Sequence, residues 1–410
     1  MPGQTNRKLE VADILRAYGE GYRATHRVSP GQAKVMARLM ACRTAALGGH
    51  VDACGGCGYR RISYNSCRDR HCPKCQATKR AAWLESRLAQ LLPVAYFHVV
   101  FTLPEQLRPL ALKNQRVLYN LLFSAASQTL QQLAADPKRL GAQLGFTAIL
   151  HTWGQNLLFH PHLHCVVTGG GLSPDGKQWV SARQGYLLPA KVLGKLFRGK
   201  FVAGLRQAYD AGELILTGSV ESLAQPQSFR KLLDELYRQD WVVYAKQPFG
   251  GVEQVYRYLG RYTHRVAISN ARLLSHDGGR VRFRYKDYAA ASQNKTMTLA
   301  ADEFIRRFLL HVLPPRFVRI RHFGLLASRN VSTRLVDSRR LLGGNNRSDP
   351  AREEKTWVER IKDWFDLDVV HCPSCGQLLV RRPLLPASPY NRSANSLAEF
   401  TVAVPTLDSS

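Results

Sequence analysis

Two histidines separated by a single leucine form the most distinctive chemical pattern in the sequence. His162 and His164 lie in the stretch Phe159–Leu172, where apolar and β-branched residues predict a buried strand. Alternate residues of a strand point to the same face, so the two imidazoles should project together. Two neutral imidazoles in this arrangement can bind one divalent cation and leave coordination positions open. From the pair alone, the alternative is two histidines that only satisfy hydrogen bonds in a core.

A pair of tyrosines further along the chain could supply a nucleophile. Tyr258 and Tyr262 are four residues apart in Val255–Arg265, a segment whose pattern predicts a helix. Residues with this spacing share one face of a helix and lie about 6 Å apart along its axis. Tyr256 is two residues from Tyr258 and should point elsewhere. The sequence therefore predicts two phenol groups side by side.

These motifs together resemble a known family. A histidine–hydrophobic–histidine strand followed by a Tyr-x-x-x-Tyr helix is similar to the pattern of the two-tyrosine HUH endonucleases. The ordered set of motifs from about Ala33 to Arg329, including AKQPFGGVEQVYRYLGRYTHRVAISNARL and PPRFVRIRHFGLLASR, closely resembles rolling-circle transposases of the insertion sequence 91 family. No single motif is decisive, but the ordered set is highly specific.

The resemblance implies a fold class and an architecture. We expect an α+β protein whose HUH endonuclease core is an antiparallel sheet, ferredoxin-like or RRM-like. Helices should cover one face of that sheet, and the histidines should lie on a central strand. A helical and zinc-binding module should precede this core. The order of elements predicted from the residues themselves, a strand at 96–103, a helix at 116–135 and strands at 146–153 and 159–172, fits the same sheet.

The resemblance also implies a reaction, DNA transposition through cleavage and joining of single strands. A Mg²⁺ or Mn²⁺ ion held by the histidine pair would polarise the scissile phosphodiester, and Tyr258 or Tyr262 would attack phosphorus. The expected products are a 5′-phosphotyrosine link and a free 3′-hydroxyl, so the bond energy is conserved and ATP is not needed. A second tyrosine would allow a second cleavage while the first adduct persists.

Four further residues near these motifs have more than one interpretation. Gln155 precedes His162 at the offset where several HUH replication initiators carry a third metal ligand, but it is equally compatible with a turn residue. His151 is a weaker alternative ligand. Lys246, just before the turn into the tyrosine helix, is expected to contact the scissile phosphate. His98 is interpreted as a structural strand residue.

The cysteines near the N-terminus predict zinc. Cys54, Cys57, Cys72 and Cys75 form two C-x-x-C knuckles, the spacing of a structural site with four thiolates. No apolar signal segment opens the sequence, so we expect a reducing compartment, where clustered cysteines bind metal rather than form disulfides. The resulting module should fold around at least one Zn²⁺.

Other potential ligands lie in or beyond the same region. Cys42, His50, Cys67 and His71 could complete a second zinc site; alternatively, Cys42 is a buried helix residue and His71 binds phosphate. Near the other end of the chain, Cys372 and Cys375 form half of a zinc site with no second half nearby in sequence. That half-site could pair with another segment or chain, or bind nothing.

These patterns divide the chain into three predicted regions. Residues 1–90 should form a helical and zinc-binding module that binds DNA. Residues 91–335 should form the HUH endonuclease domain, with 173–239 as a connecting insertion. Residues 336–410 should comprise a linker, a short helix, the second C-x-x-C knuckle and a disordered tail.

The charge balance predicts a polyanionic partner. The chain carries 58 lysines and arginines against 30 acidic residues, a formal net charge of +28, which favours nucleic acid. Arg316, Arg319 and Arg321 alternate with apolar residues, a spacing that suits single-stranded DNA but equally an ordinary basic strand. The predicted DNA-binding residues are Arg68, Arg70, Lys74, Arg261, Arg265, Arg316, Arg319 and Arg321.

We expect single- and double-stranded DNA as partners, in the cytoplasm of a bacterium and associated with the nucleoid. No apolar run of about twenty residues occurs, so no membrane span is predicted. No Walker-type loop occurs either, so any helicase and other replication proteins should come from the host.

Two rival functions stay open at this point. One is a plasmid replication initiator or relaxase with the same chemistry, although the zinc module and the residues around Tyr258 favour the transposase. The other is a non-catalytic zinc-containing DNA-binding regulator, in which the histidines and tyrosines only pack the core.

Overall fold

The computed structural model of the protein describes residues 8–246, 253–254, 260, 267–287, 290, 293–343 and 355–386. The α-helices are α1 (Val11–Thr25), α2 (Pro30–Ala41), α3 (Ala77–Leu88), α4 (Arg108–Lys113), α5 (Gln115–Ala135), α6 (Ala190–Asp210), α7 (Pro226–Arg238), α8 (Ala301–Leu309), α9 (Arg334–Leu341) and α10 (Trp357–Phe365). The strands are β1 (Gly49–Cys54), β2 (Arg60–Tyr64), β3 (Tyr96–Thr102), β4 (Gln143–Trp153), β5 (Phe159–Leu172), β6 (Trp179–Ser181), β7 (Val243–Lys246), β8 (Leu273–Asp277), β9 (Arg280–Asp287), β10 (Gln293–Ala300), β11 (Ile320–Gly324) and β12 (Leu379–Leu384). The expected α+β class with antiparallel sheets is confirmed.

The largest sheet has the order β11-β4-β5-β3-β7, with β6 paired to the end of β5. All its pairs are antiparallel, and β5 lies in the centre. Alternation along the strands sends Phe97, Val99 and Phe101 to one face, where they enter a core shared with α5 and α6. This face is the main hydrophobic core of the molecule.

Helix α6 belongs to that core. Its residues Leu193, Phe197, Phe201 and Leu205 recur at helical spacing and are fully buried. The interpretation of 173–239 as a connecting insertion is therefore wrong, because α6 covers the sheet beside α5. The many lysines and arginines on its outer side concealed this apolar stripe in the sequence.

The opposite face of the sheet is covered in part by α3. Trp83, Leu84 and Leu88 of this helix pack against Ile149 and Val166. Helices thus lie on both faces, whereas the sequence predicted helices on one face only. The reason is that this face has apolar residues toward one end and histidines toward the other, and α3 covers the apolar end.

A second core joins the N-terminal helices to a distant part of the chain. Val11 and Ile14 of α1 and Met36 of α2 share a cluster with Phe283 of β9 and Phe304 of α8. Strands β8, β9 and β10 form the three-stranded sheet of this core. The predicted boundary at residue 90 is not a structural boundary for α1 and α2, because they pack with residues from 267–309.

A third sheet, of order β12-β1-β2, joins residues 49–64 to residues 379–384 near the C-terminal end of the described chain. β1 pairs with β2 on one side and with β12 on the other. The Pro- and Ser-rich stretch from Pro383 is the part of the sequence that predicts a disordered tail, but Pro383 and Leu384 are part of β12. Residues 387–410 lie outside the described residues.

Alternating apolar residues also predict a strand at Val266–Ile268, and an ordinary basic strand is one interpretation of Arg316–Arg321; within the described residues neither strand has these bounds. Ala267 and Ile268 are not in a strand, and Ala267 has a φ of 63°. β11 begins at Ile320 rather than at Arg316, which has a φ of 57°. A left-handed residue does not continue a strand, so the backbone at both positions explains the error.

Among the helices that the structure describes, none has the length and apolar character needed to cross a membrane.

Candidate active site and metal centres

The central position of β5 gathers four histidines on one face of the main sheet. His162 and His164 come from β5, His98 from β3 and His151 from β4. His151 pairs directly with His162, and His164 pairs with Val100, two residues from His98. Residues opposite each other in an antiparallel pair share a face, so all four imidazoles project to the same side. We call this set the histidine cluster.

The ring nitrogens of the cluster converge. His162 Nε2 lies 3.1 Å from His164 Nε2, and one ligand nitrogen each from His151, His162 and His164 lie within 4.8 Å of one another. Two nitrogens that bind one ion at about 2.1 Å and near a right angle are about 3 Å apart. The arrangement therefore fits a single divalent ion.

A hydrogen bond to a backbone carbonyl fixes which nitrogen of His162 carries the proton. His162 Nδ1 lies 2.7 Å from the carbonyl oxygen of His160; a carbonyl only accepts, so Nδ1 donates and Nε2 retains its lone pair. His164 Nδ1 lies 2.7 Å from His98 Nε2. If His164 donates there, its Nε2 also presents a lone pair. Partners of this kind set the tautomer and orientation of metal-binding histidines, and His98 is such a partner for His164.

The surroundings keep the cluster neutral. Burial lowers the pKa of His98 and of His162 to about 4. Burial, together with the neighbouring histidines, also holds the pKa of His151 and of His164 well below the ordinary value. All four imidazoles are therefore unprotonated at neutral pH, the form that binds metal.

The two candidates for a third ligand, His151 and Gln155, lie in different positions. Gln155 lies in the turn after β4, two residues beyond Trp153, and its backbone carbonyl accepts a hydrogen bond from Arg272. His151 lies directly across from His162. The antiparallel register of β4 and β5, which spacing along the sequence does not reveal, brings His151 to the histidine pair; Gln155 as a metal ligand stays a prediction.

Lys246 lies at the edge of the cluster. It pairs with His98 across β3 and β7, so its side chain projects to the histidine face. Its Nζ is 5.3 Å from the centre of the Tyr244 ring, which in turn is 6.4 Å from the ring of His98. This position is compatible with the predicted contact to the scissile phosphate, which stays a prediction.

Tyr258 and Tyr262 lie outside the described residues, and so does Tyr256. Gly260, between the two predicted nucleophiles in sequence, is described and is helical and buried. A Cβ built on Gly260 would lie 3.8 Å from Arg80 Cγ and 3.9 Å from Trp83 Cζ3, both on α3. Gly260 thus lies beside α3, which covers the apolar end of the sheet face that carries the histidines.

Eight of the nine cysteines form two clusters of four thiols. The four cysteines predicted to bind one zinc ion are divided between these clusters. One group, the N-terminal cysteine cluster, consists of Cys42, Cys67, Cys72 and Cys75. The other, the split cysteine cluster, consists of Cys54, Cys57, Cys372 and Cys375. The predicted site of Cys54, Cys57, Cys72 and Cys75 is thus corrected, because the β1–β2 hairpin carries its knuckle away to meet the knuckle that precedes β12.

The N-terminal cysteine cluster has the chemistry of a structural zinc site. Cys42 Sγ lies 3.0 Å from Cys75 Sγ and 3.6 Å from Cys72 Sγ, and Cys67 Sγ lies 3.6 Å from Cys75 Sγ. Four converging thiols match the tetrahedral, sulfur-rich coordination that zinc prefers.

The predicted second site of Cys42, His50, Cys67 and His71 is not formed, because its two thiols complete the N-terminal cysteine cluster. His71 is buried with Nδ1 2.8 Å from Asp69 Oδ1, while its Nε2 accepts a hydrogen bond from the backbone of Leu313 at 3.2 Å. Both ring nitrogens are therefore used within the protein. His50 Nε2 instead lies 3.9 Å from Asp52 Oδ2.

Comparison with known proteins identifies the family. Residues 145–333 match a family model described as "Putative transposase", and residues 14–103 match one described as "Transposase zinc-binding domain". The chain is 53% identical over 373 residues to a protein of Sinorhizobium fredii named "Putative transposase y4qJ", covering 90% of this chain and 93% of that protein. It is 27% identical over 361 residues to the "Transposase for insertion sequence element IS801" of Pseudomonas savastanoi pv. phaseolicola, covering 85% of this chain and 83% of that one. No solved structure matches the chain. The chain belongs to the insertion sequence 91 type of transposases.

Members of this transposase family use rolling-circle transposition. The zinc-binding match contains the whole N-terminal cysteine cluster but only the Cys54–Cys57 half of the split cysteine cluster. The transposase match contains His151, His162 and His164, whereas His98 precedes it.

Several residues predicted to bind DNA in this transposase have internal partners instead. Lys74 Nζ forms a 2.7 Å ion pair with Glu10, and Arg70 donates a 2.6 Å hydrogen bond to the Phe317 carbonyl. Arg321 donates at 2.6 Å to Asn120 Oδ1, and its guanidinium lies 4.1 Å from the centre of the Phe123 ring. These contacts give the three side chains structural roles.

The other predicted DNA-binding residues differ in exposure. Arg319 is only 8% exposed, and burial lowers its pKa to about 9, so it stays charged near the buried His151. Arg68 and Arg316 are exposed. Arg261 and Arg265 lie outside the described residues, and the role of all five in DNA binding stays a prediction.

The sequence interpretation missed His98 and the partner of Cys372 and Cys375. A histidine within the apolar run of β3 was a weak signal for the first. For the second, the signal was a repeated C-x-x-C-G, at Cys54–Gly58 and Cys372–Gly376.

Proposed function

We propose that this transposase is a metal-dependent HUH endonuclease that nicks and joins single-stranded DNA through a 5′-phosphotyrosine intermediate. The observation that carries the proposal is the histidine cluster, in which two Nε2 atoms converge at 3.1 Å on one face of the central strand. A regulator without catalysis would not require neutral imidazoles whose lone pairs converge on one side of the sheet.

The topology supports the HUH assignment. The chain passes through β3, α5, β4, β5, α6 and β7, and the corresponding strands lie in the order β4-β5-β3-β7. This is the β-α-β-β-α-β connectivity of ferredoxin-like folds. The histidine pair lies on the third strand of this unit, in the middle of the sheet, where the resemblance to HUH enzymes implies it.

The residues on this sheet face have three proposed roles: binding the metal ion, orienting one of its ligands and contacting the phosphate. His162, His164 and His151 would hold Mg²⁺ or Mn²⁺, which when bound supplies Lewis-acid polarisation of the scissile phosphodiester. His98 Nε2, 2.7 Å from His164 Nδ1, would accept a hydrogen bond from that nitrogen, so that the opposite nitrogen of His164 is left deprotonated to bind the ion. Lys246, on the same face, offers a positive charge to a phosphate oxygen.

The nucleophile comes from the tyrosine pair. The phenolic oxygen of Tyr258 or Tyr262 loses its proton to solvent and forms a bond to phosphorus. The bond from phosphorus to the 3′ oxygen breaks, and that oxygen leaves with the electron pair and takes up a proton. The position of Gly260 beside α3 supports placing this pair near the histidine face.

The partners of this reaction are DNA strands. The net charge of +28 suits the ends of the element and the target, which must be held together during strand transfer. Strand separation would depend on host helicase and replication proteins.

Covalent trapping tests the proposal. The full chain, incubated with a single-stranded oligonucleotide from an element end and Mg²⁺ or Mn²⁺, should form an adduct that survives boiling in detergent. Peptide mapping should find the DNA on Tyr258 or Tyr262, and the double Tyr258→Phe/Tyr262→Phe variant should form none. His162→Ala should abolish nicking while DNA binding persists.

Tyr244→Phe is the matched control, because this tyrosine lies on the histidine face without being a proposed nucleophile. It should leave adduct formation intact. An adduct that persists in the double variant, or that maps to Tyr244, would contradict the mechanism. DNA binding without any nicking by the unaltered chain would favour the non-catalytic regulator.

A further inference from the structure

We propose that Cys54, Cys57, Cys372 and Cys375 bind a second zinc ion, distinct from that of the N-terminal cysteine cluster, and that this ion fastens residues 355–386 onto the N-terminal module. The family match to a zinc-binding domain ends at residue 103, so it contains only half of this site. The other half lies beyond both family matches. The inference does not depend on the nuclease mechanism.

The sulfur atoms are arranged as ligands of one ion. Cys54 Sγ lies 3.4 Å from Cys375 Sγ, and Cys57 Sγ lies 3.5 Å from Cys372 Sγ. All four sulfurs are within 4.8 Å of one another. In a tetrahedral site with Zn–S bonds of about 2.3 Å, sulfurs are about 3.8 Å apart. Each thiol would release its proton to solvent on binding.

The two knuckles have the same backbone structure. The Cys54 N–H donates to the Tyr59 carbonyl, five residues on, and the Gly58 N–H donates back to the Cys54 carbonyl. In the second knuckle, Cys372 and Gly376 form the same pair of bonds, with the Gln377 carbonyl as the acceptor for Cys372. Gly58 and Gly376 have left-handed φ values of 73° and 75°, which favour glycine after each second cysteine.

This repetition argues for a metal. Each turn presents two sulfurs on one side, and the two turns face each other with their sulfurs inward. Two copies of the same ligand-presenting turn, brought together from opposite ends of the chain, form a complete four-thiolate site. Neither half alone supplies the four ligands of a structural zinc.

The strands next to the knuckles extend the same junction. β1 and β12 pair from Cys54 with Leu379 to Gly49 with Leu384. On the central strand, Asp52 is 1% exposed and accepts hydrogen bonds from Arg61 of β2 at 2.9 Å and Arg381 of β12 at 2.7 Å. A three-stranded sheet this small has little core of its own. The ion is therefore expected to supply much of the free energy that holds β12 in place.

Zinc content tests the number of sites in the full chain. The His162→Ala/His164→Ala variant serves as the background, so that the histidine cluster contributes no tightly held ion. Elemental analysis should find two zinc ions per chain, and a single ion would overturn the proposal. Cys375→Ser should leave one, and Cys54→Ser/Cys375→Ser should also leave one, because both residues bind the same ion. Fewer zinc ions in Cys54→Ser/Cys375→Ser than in Cys375→Ser would show that the two residues bind different ions and would overturn the proposal.

Thiol alkylation tests whether the two halves meet. In the unaltered chain Cys372 and Cys375 should resist alkylation although Cys375 is exposed. In Cys54→Ser/Cys57→Ser both should become reactive, while the N-terminal cysteine cluster stays protected and so reports that the module remains folded. Ser374→Ala, inside the second knuckle, is the matched control and should change nothing. Protection of Cys372 and Cys375 that survives loss of Cys54 and Cys57 would overturn the proposal.

Discussion

The two histidines of β5, His162 and His164, differ in what their Nδ1 atoms contact. For His162 it is a backbone carbonyl, which holds the ring regardless of other side chains. For His164 it is the imidazole of His98, itself half-buried on the neighbouring strand. The orientation of His164 therefore depends on a residue that need not touch the ion, so the two positions should respond differently to substitution.

Replacing His98 with alanine should weaken metal binding without removing a ligand. Loss of such a partner typically costs 10- to 100-fold in metal affinity, so the metal concentration for half-maximal nicking should rise by about that factor. Saturating metal should restore most of the rate. His322→Ala is the control, since this histidine is on the same sheet face but lies 2.9 Å from Thr147 Oγ1. An unchanged metal requirement in His98→Ala would contradict the positioning role.

His311 should make the stability of the protein sensitive to acid. It is 1% exposed, Nε2 donates to the Leu157 carbonyl at 3.1 Å, and burial lowers its pKa from 6.5 to about 4. The folded state therefore binds fewer protons than the unfolded state between these values. The contribution of His311 to the free energy of unfolding is therefore fully present above pH 6.5. It decreases as the pH falls toward 4, by about 2 kcal/mol between pH 7 and 5.

Denaturant unfolding of His311→Gln at the two pH values checks this. The variant should be less stable than the unaltered chain at pH 7. Its free energy of unfolding should decrease less between pH 7 and pH 5 than that of the unaltered chain. Because other buried histidines titrate in the same range, the difference between the two proteins is the quantity to measure. Equal losses would assign the acid sensitivity to other groups.

At the residue scale, the sequence predicted the ligand pair but not its surroundings. His162 and His164 follow from alternation within one strand, which is a local property. His151 and His98 join them only through the register of β4 and β3 against β5, and register depends on pairing between distant segments. For the same reason the cysteines were recognised as zinc ligands but assigned to the wrong groups.

At the scale of elements, β11 shows how closely the site depends on backbone packing. β11 pairs with β4, the strand that carries His151. Gly324 at its end has a φ of 59°, and a Cβ there would lie 1.7 Å from the Leu144 carbonyl oxygen. No side chain can be accommodated without moving one strand away from the other.

Gly324→Ala should therefore lower the free energy of unfolding by more than the backbone strain alone would. Gly278 has a similar φ of 56° but open space around its Cβ position, so Gly278→Ala measures the strain, about 1 kcal/mol. The clash of the added Cβ at Gly324 should raise the decrease in the free energy of unfolding to about 2–4 kcal/mol. Urea unfolding of the two variants gives the comparison, and equal losses would contradict the predicted clash.

Element prediction succeeded where the hydrophobic period was clear. β5 has the predicted bounds, α5 begins one residue earlier than predicted, and α10 is the short helix predicted within residues 336–410. α6 was missed as a core element although Phe197 and Phe201 have helical spacing, because its lysines and arginines dominated the interpretation. β12 was missed because its strand exists only through pairing with β1, more than three hundred residues away in sequence.

At the scale of the whole molecule, the two hydrophobic cores do not follow the order of the chain. The main core lies between the large sheet, α5 and α6. The second core takes α1 and α2 from the N-terminus and β8–β10 with α8 from residues 273–309. The regions predicted from motifs therefore show where the functional residues lie along the sequence. They do not coincide with the sets of elements that share a hydrophobic core.

A fragment of residues 91–335 should consequently fail to fold as a stable unit, although it contains the whole histidine cluster. Removal of α1 and α2 uncovers the side of the second core where Phe283, Phe304 and Phe308 are at most 1% exposed. Burial of a phenylalanine contributes about 1.5–3 kcal/mol, and the total for three approaches the 5–15 kcal/mol that typically stabilises a domain. The fragment should aggregate or bind a hydrophobic dye, whereas residues 8–386 should remain monodisperse and unfold cooperatively. Cooperative unfolding of 91–335 without dye binding would contradict the shared core and restore a boundary near residue 90.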